Sequence, residues 1–440
     1  MLHFLTALIC FYGFIKEFKI GEPFIYLYQS EVLNLTREQL TNEVYPFAAY
    51  SYLLSLIPVL LLTDLTLYKP TMLLEVVAQT IYRNILRGIL VFCPMVWAQK
   101  LGIVVFGTAS ASEIAFFSYI YSKSEKDQYQ KAAVMSGRMI SYLLAQAIIL
   151  TRIGNYQFLQ STGFGIPCFV VILAAFLPNV KWKQVIVRLS DSNSKETAAE
   201  QSGLPETYGA YVQYQLCLMR YNITRIYQVA AIRKWSIWWA LTTCMSLQVA
   251  QYAQSLWGEV QHGDTNSLNG FAEAIYTATA AISILILGLA KINWDKWGEL
   301  TLATISLIDT LILIIYSRAQ SIWIMYACYI GYRSLYQVMI TIAQWNLARK
   351  MIGESYGLVF GLNSFIALLL QTLLTIIVPD QHGLHMPVRQ QVTNFCTALT
   401  IEFEFLVYAG CHAFIGTIFL ISLCNSLIGC CRSKPNILAI

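Results

Sequence analysis

Glutamates stand inside stretches otherwise built from apolar side chains, and their surroundings point to holding a solute rather than to making bonds. An ionisable group in hydrocarbon is costly, so it is expected to face a bundle interior or a water-filled cavity. Glu22 sits between Gly21 and Pro23. Proline removes a backbone donor and glycine loosens packing, so a helix broken here would carry the carboxylate toward a cavity, to meet an organic cation or a proton. A carboxylate paired with a lysine of the same bundle is the other reading. Glu113 lies in Ser110-Ala-Ser-Glu-Ile-Ala-Phe-Phe-Ser-Tyr-Ile-Tyr121. Small residues on one side permit close helix packing. On the other side Phe116, Phe117 and Tyr119 are expected to form a stacking wall, so that charge pairing and cation–π attraction together hold a flat cationic ring. The plainer alternative is a polar contact between helices.

Further charges in apolar stretches are Lys16, Glu17 and Lys19, then Glu75, Arg83, Arg87, Arg138, Glu273 and Arg333. Glu75 and Arg83 are eight residues apart, about two helical turns, and share a face that Arg87 extends. They are expected to pair with neighbouring helices as structural charges. Arg333, after Gly331 and Tyr332 and before Ser334, suits either an anionic group of a solute or a lock between two parts of the bundle. The turn from Asp64 to Lys69 and Pro70 reads as a charged hinge that gates or braces the inner face without touching the solute. The five histidines, His3, His262, His382, His385 and His412, form no cluster, and no HExxH, channel-filter or paired CxxC pattern occurs. No metal, cofactor or enzyme chemistry is expected.

The elements that must position these groups are long apolar helices. The 440 residues are 57% hydrophobic and only 12% charged, with a mean hydropathy of +0.55. A soluble domain carries about 25% charged residues, so an ordinary cytosolic enzyme is excluded. The net charge is +5, and the basic residues lie in short clusters between apolar stretches. That disfavours a nucleic-acid surface and leaves lipids and a small solute as partners. A membrane span needs about 20 residues. Such stretches fall at 3–29, 43–63, 71–94, 101–122, 131–151 and 161–178, then at 236–257, 269–291, 297–316, 320–343, 353–378 and 397–428. The pattern predicts an all-α membrane protein with twelve transmembrane helices. Residues 1–178 and 236–428 form two six-helix halves, 179–235 a cytoplasmic central linker, and 429–440 a cytoplasmic tail. This is the arrangement of the major facilitator fold, whose halves rock about a midplane site.

With the N-terminus inside, cytoplasmic segments hold Lys69, Lys123, Lys126, Lys131, the basic interval, Lys291, Lys296, Arg349, Lys350, Arg432 and Lys434, as the positive-inside rule expects. The same orientation puts the Asn34-Leu-Thr36 sequon outside, open to glycosylation, and Asn222-Ile-Thr224 inside. The first stretch reads as a spanning helix rather than a removed signal peptide. Most of the eleven cysteines read as small buried hydrophobes. Cys430 and Cys431, beside Arg432, are open to palmitoylation.

Several stretches resemble the folate and thiamine carrier family, solute carrier family 19. They include Leu5 to Phe14, Gly21-Glu-Pro-Phe24, Asn34 to Glu43, Tyr50-Ser-Tyr52, Thr63-Asp64, Tyr68-Lys-Pro70, Glu113-Ile-Ala115, Ser118 to Ser122, Trp235, Trp238-Trp-Ala240, Tyr356 to Asn363 and Val378-Pro-Asp380. The resemblance runs to about residue 415 and implies a plasma-membrane vitamin carrier of the major facilitator fold, not an enzyme. Reduced folate carriers tend to have Arg where Glu113 stands and Lys where Gln371 stands, so the resemblance leans to thiamine. It implies Glu22 and Glu113 as ligands of the cation and aminopyrimidine, with Phe116 or Phe117 stacking. Departures are Ala48 in place of a stacking Trp, Phe116 in place of Tyr, and Gln248 near the place of an Asn in the seventh helix. A folate or other organic-anion carrier stays open, and would need Arg333, Arg83, Arg87 or Lys19 to face the cavity. A receptor-like protein without transport stays open too. Proton coupling, if present, is expected at Glu22 or Glu113.

Overall fold

A computed structural model describes residues 2–86, 95–123, 128–179, 207–261, 267–289, 294–350, 356–377, 408–421 and 424. Among these the regular structure is helical. The long helices are α1 (Leu2–Lys16), α2 (Pro46–Leu65), α3 (Lys69–Thr80), α4 (Val96–Lys123), α5 (Gln128–Leu150), α6 (Gly165–Phe176), α7 (Tyr208–Gln228), α8 (Ala230–Val260), α9 (Asn269–Leu289), α10 (Trp294–Arg318), α11 (Ile322–Lys350), α12 (Tyr356–Ile377) and α13 (Tyr408–Ile421). Six stretches among the described residues are long and apolar enough to cross a membrane: Gln39–Thr63, Gln130–Leu150, Tyr156–Phe176, Asn269–Leu287, Leu300–Arg318 and Leu358–Ile377. Large apolar side chains such as Leu54, Ile57, Ile282, Ile286, Leu311, Ile315 and Leu373 point outward from these helices. In water that surface would be an aggregation hazard; against lipid tails it is the expected face.

The predicted first span is interrupted. Helix α1 stops at Lys16, and the chain is non-helical to Gly21, then makes a tight turn over Glu22–Phe24. Pro23, which cannot donate to a preceding carbonyl, sits inside that turn, and the interruption itself lies over residues 17–21, up to the first residue of the Gly-Glu-Pro triplet. Helix α8 starts at Ala230, six residues before the predicted boundary, and the central interval holds the helix α7, capped by the Thr207 hydroxyl, which accepts from the Ala210 amide at 3.3 Å. Helix α9 packs along α5, and α12 along α2, so segments distant in sequence are joined side by side. Close approach depends on small residues. A Cβ at Gly107 would strike Ser51 and the Tyr52 amide, and one at Gly137 would strike the Phe14 carbonyl.

Candidate functional site

The charges of the first stretch meet those of α3, α4 and α5 in one buried ladder. Lys16 Nζ is 2.7 Å from Glu75 Oε1 and 3.7 Å from Glu113 Oε1. Arg138 spans the next rung, with Nε 2.5 Å from Glu17 Oε2 and Nη2 3.7 Å from Glu113. Lys19 Nζ lies 3.0 Å from Glu17 and 3.7 Å from Glu22. The break after Lys16 lets Glu17, Lys19 and Glu22 reach inward together, which an unbroken helix turning 100° per residue would not allow. The outer carboxylates keep an open side: the Glu113 side chain is 25% exposed and that of Glu22 31%, whereas Glu17 and Glu75 are sealed.

These open carboxylates look into a cavity of about 480 Å³. That is the size of a small-molecule site. Its charged lining is Lys19, Lys131, Arg138 and Arg333 against Glu22, Glu113 and Glu273, and Tyr142, Tyr276, Tyr329 and Tyr336 supply rings. Arg333 Nη1 donates to Ser246 Oγ at 2.9 Å, and its guanidinium lies 5.0 Å from the Tyr276 ring centre. Its Nε makes no hydrogen bond, and among the described residues no carboxylate lies within 4 Å of it. Glu273 accepts from the Tyr329 hydroxyl at 3.0 Å, and Glu22 from the Tyr142 hydroxyl at 2.8 Å. A second chamber of about 180 Å³ adjoins past Glu22 and Ala48, and Arg83, Gln29, Tyr45, Tyr82 and Gln160 line it.

Two glutamines, Gln254 in the cavity lining and the buried Gln146, tie chain segments together at one end. The Gln254 amide donates to the Glu22 carbonyl at 3.0 Å and accepts from the Tyr26 N–H at 3.3 Å. The Gln146 amide donates to the Ser267 carbonyl at 2.9 Å and accepts from the Gly270 N–H at 2.9 Å. Each pairs its amide with both a carbonyl and an N–H of the neighbouring chain, the Glu22 carbonyl also accepting from the Ile25 N–H of its own turn. Trp257 fills the space beside them, edge-on to Tyr326 and Tyr329 at 5.1 and 4.9 Å. At the other end Lys131 Nζ donates to Gln344 Oε1 at 3.0 Å.

The structure brings Glu22, Glu113, Arg333 and Gln371 to one cavity, with Lys19 beside them. Phe116, Tyr119 and Gln248 lie outside the cavity lining. Phe116 is fully buried against Tyr12, with Lys16 Nζ 4.5 Å above its ring, so it packs the ladder instead of stacking on a solute. Tyr119 is buried and donates to the Pro178 carbonyl at 3.0 Å. Gln248 is buried, donating to Thr375 Oγ1 at 2.9 Å between α8 and α12. The side chains of Phe117 and Asp64 lie outside the described residues, as do Arg87, Cys430 and Cys431. Glu75 pairs with Lys16, and Arg83 lines the second chamber. Lys69 braces the C-terminal end of α6, with Nζ 2.9 Å from the Ala175 carbonyl and 2.6 Å from that of Leu177. Asn34 is exposed, in a left-handed backbone conformation (φ 53°), and Thr36 and Gln39 cap the following turn reciprocally. Gln146, Gln251 and Gln254 went unsingled in the sequence. The signal was there, an amide in an apolar helix, but attention to formal charge passes over it.

A family model described as reduced folate carrier matches residues 2–394. Folate-like transporter 3 of Caenorhabditis elegans is 36% identical over 418 residues, 94% of each chain. Folate-like transporter 2 of the same organism is 37% identical over 413 residues, 92% of this chain and 96% of that one. Thiamine transporter 1 of Mus musculus is 32% identical over 484 residues, 98% of this chain and 91% of that one. Among solved structures the nucleoside transporter NupG superposes with a TM-score of 0.59, covering 95% of this chain and 98% of that one at 10% identity. At that identity the likeness concerns the fold: all-α, multi-spanning and of the major facilitator kind.

Proposed function

From the chain's membership of the reduced folate carrier family, which makes it a transporter and not an enzyme, we propose that it carries a folate-type vitamin: an organic anion with a flat ring bearing N–H donors. The carrying observation is Arg333, a guanidinium fixed on the cavity wall with no carboxylate within 4 Å among the described residues. Lys19 lines the same cavity and Arg83 the adjoining chamber, which supports an anion carrier further. Glu22 and Glu113 already have cations of their own within 4 Å. They serve better as acceptors for ring N–H groups than as counter-ions for an organic cation. Twelve spans in two six-helix halves, both termini cytoplasmic, at the plasma membrane, complete the reading. The glutamine-closed end then faces outside and Lys131 and Gln344 face the cytoplasm, with substrate passing by alternating access.

A thiamine carrier is the second reading, favoured by Glu113 and Gln371 on one cavity wall. Uptake of labelled folate and thiamine into cells expressing the chain separates the two. Saturable folate uptake, lost in Arg333→Gln and insensitive to excess thiamine, is the expected result. Thiamine uptake lost in Glu113→Gln would install the second reading. Flux of neither, with the protein at the cell surface, overturns both.

A further inference from the structure

Away from the substrate cavity, α10, α11 and α13 enclose a group of polar atoms that the transport reading leaves unused. Asp309 is only 4% exposed and makes no hydrogen bond or ion pair with any described residue. Ser306 Oγ, one turn earlier on the same face, is buried and likewise unpartnered. His412 is 1% exposed; one ring nitrogen, Nε2, is 2.9 Å from the buried Tyr332 hydroxyl and the other, Nδ1, has no partner. The three helices meet at this level. A Cβ at Gly416, one turn from His412, would lie 3.6 Å from Ser306 Cβ, and one at Gly331 would lie 3.6 Å from Ile312 Cδ1, one turn from Asp309.

An ionised carboxylate without a partner cannot be held in such a place, because desolvation costs far more than folding can offset. We propose that Asp309, with His412 and Ser306 beside it, is a proton-binding site, occupied by a proton in this conformation, and that it makes transport depend on pH. Among the described residues its electrostatic neighbour is Tyr332 of α11, whose hydroxyl contacts His412 of α13, and Ser306 lies one turn away on its own helix. An imidazole, two hydroxyls and one carboxylate do not make the six or more oxygen ligands of a hard cation, so a proton is the ligand that fits. Its link to the substrate is short. Tyr332, which holds His412, is followed on α11 by Arg333, which lines the cavity. Loss of the proton places a charge against α11 and drives a rearrangement of the helix that carries Arg333.

The link to transport rests on the carrier reading; the proton site itself does not, so two readouts are used. In the first, the purified chain in detergent is melted between about pH 6 and 9, alone and as Asp309→Asn, which keeps shape but cannot ionise. Wild type is expected to lose stability as pH rises, because the folded state holds a proton that the unfolded chain releases. Asp309→Asn is expected to stay flatter and to exceed wild type by at least about 2 °C at the alkaline end. Parallel melting curves overturn the site, whatever the substrate proves to be. In the second, folate uptake is measured across the same range; Asp309→Asn and His412→Gln are expected to lose at least half of the wild-type pH dependence while still reaching the surface. Wild-type uptake that ignores pH, or follows sodium instead, overturns the coupling.

Discussion

On the proposed orientation, replacing Gln254 with alanine removes two hydrogen bonds that hold the outer end closed, to the Glu22 carbonyl and the Tyr26 N–H. Each neutral hydrogen bond contributes a net of roughly 0.5–1.5 kcal/mol, so the closed end loses about 1–3 kcal/mol, a factor of roughly 5–150 in its population relative to the open form. Gln146→Ala removes a second pair, to Ser267 and Gly270, which shares no partner with the first. The two effects should therefore add. The assay places a cysteine at Ala250, which lines both chambers one turn from Gln254, in a background lacking the other reactive cysteines. A membrane-impermeant maleimide added outside then reports opening of that end. Labelling should accelerate at least about 5-fold in Gln254→Ala and further in the double variant, while Gln344→Ala, which loosens the opposite end, should not raise it. A double variant that labels no faster than its parent refutes the assignment of these amides as the outer closure.

Three further outcomes are expected. Lys16→Met leaves the Glu75 carboxylate buried without its partner at 2.7 Å, at a cost of about 3–5 kcal/mol; Lys16→Met with Glu75→Leu should recover most of the melting temperature, and equal loss in single and double variants would contradict the pairing. Gly137→Ala drives a Cβ into the Phe14 carbonyl and should cost about 1–3 kcal/mol in thermal stability, whereas Gly209→Ala, with open space around it, should cost nothing measurable. Asn34→Gln should abolish an enzyme-sensitive mobility shift on gels if the exposed sequon carries a glycan outside the cell, and an unchanged shift would move the glycan elsewhere.

Residue spacing made some of this legible and tertiary approach hid the rest. The interruption near Glu22 was readable because Gly21 and Pro23 act on the backbone locally, whatever surrounds them. Glu113 and Arg333 were readable as cavity residues because charge in an apolar stretch needs water or a partner. Which partner was not readable, since Lys16 meets Glu75 across 59 residues of sequence and Arg138 meets Glu17 across 121. Phe116 shows the cost. It does lie on the Glu113 side of α4, but that side faces Lys16 and Tyr12, so a ring assigned to the solute serves the ladder. The lean toward thiamine rested on the resemblance at Glu113 and Gln371, where the sequence does not show the cations within 4 Å of Glu113.

The unwound stretch after α1 is gripped from two directions. Gln160, on the short helix Tyr156–Thr162, donates to the Gly21 carbonyl at 2.9 Å, while Gln254 of α8 holds Glu22 and Tyr26. An opening that moves α8 away from this stretch would break the Gln254 grip at residues 22 to 26 and leave the Gln160 grip in place. The Tyr26 amide hydrogen, held by Gln254, would then exchange with solvent in proportion to the population in which this grip is open, a readout of the closure that needs no label.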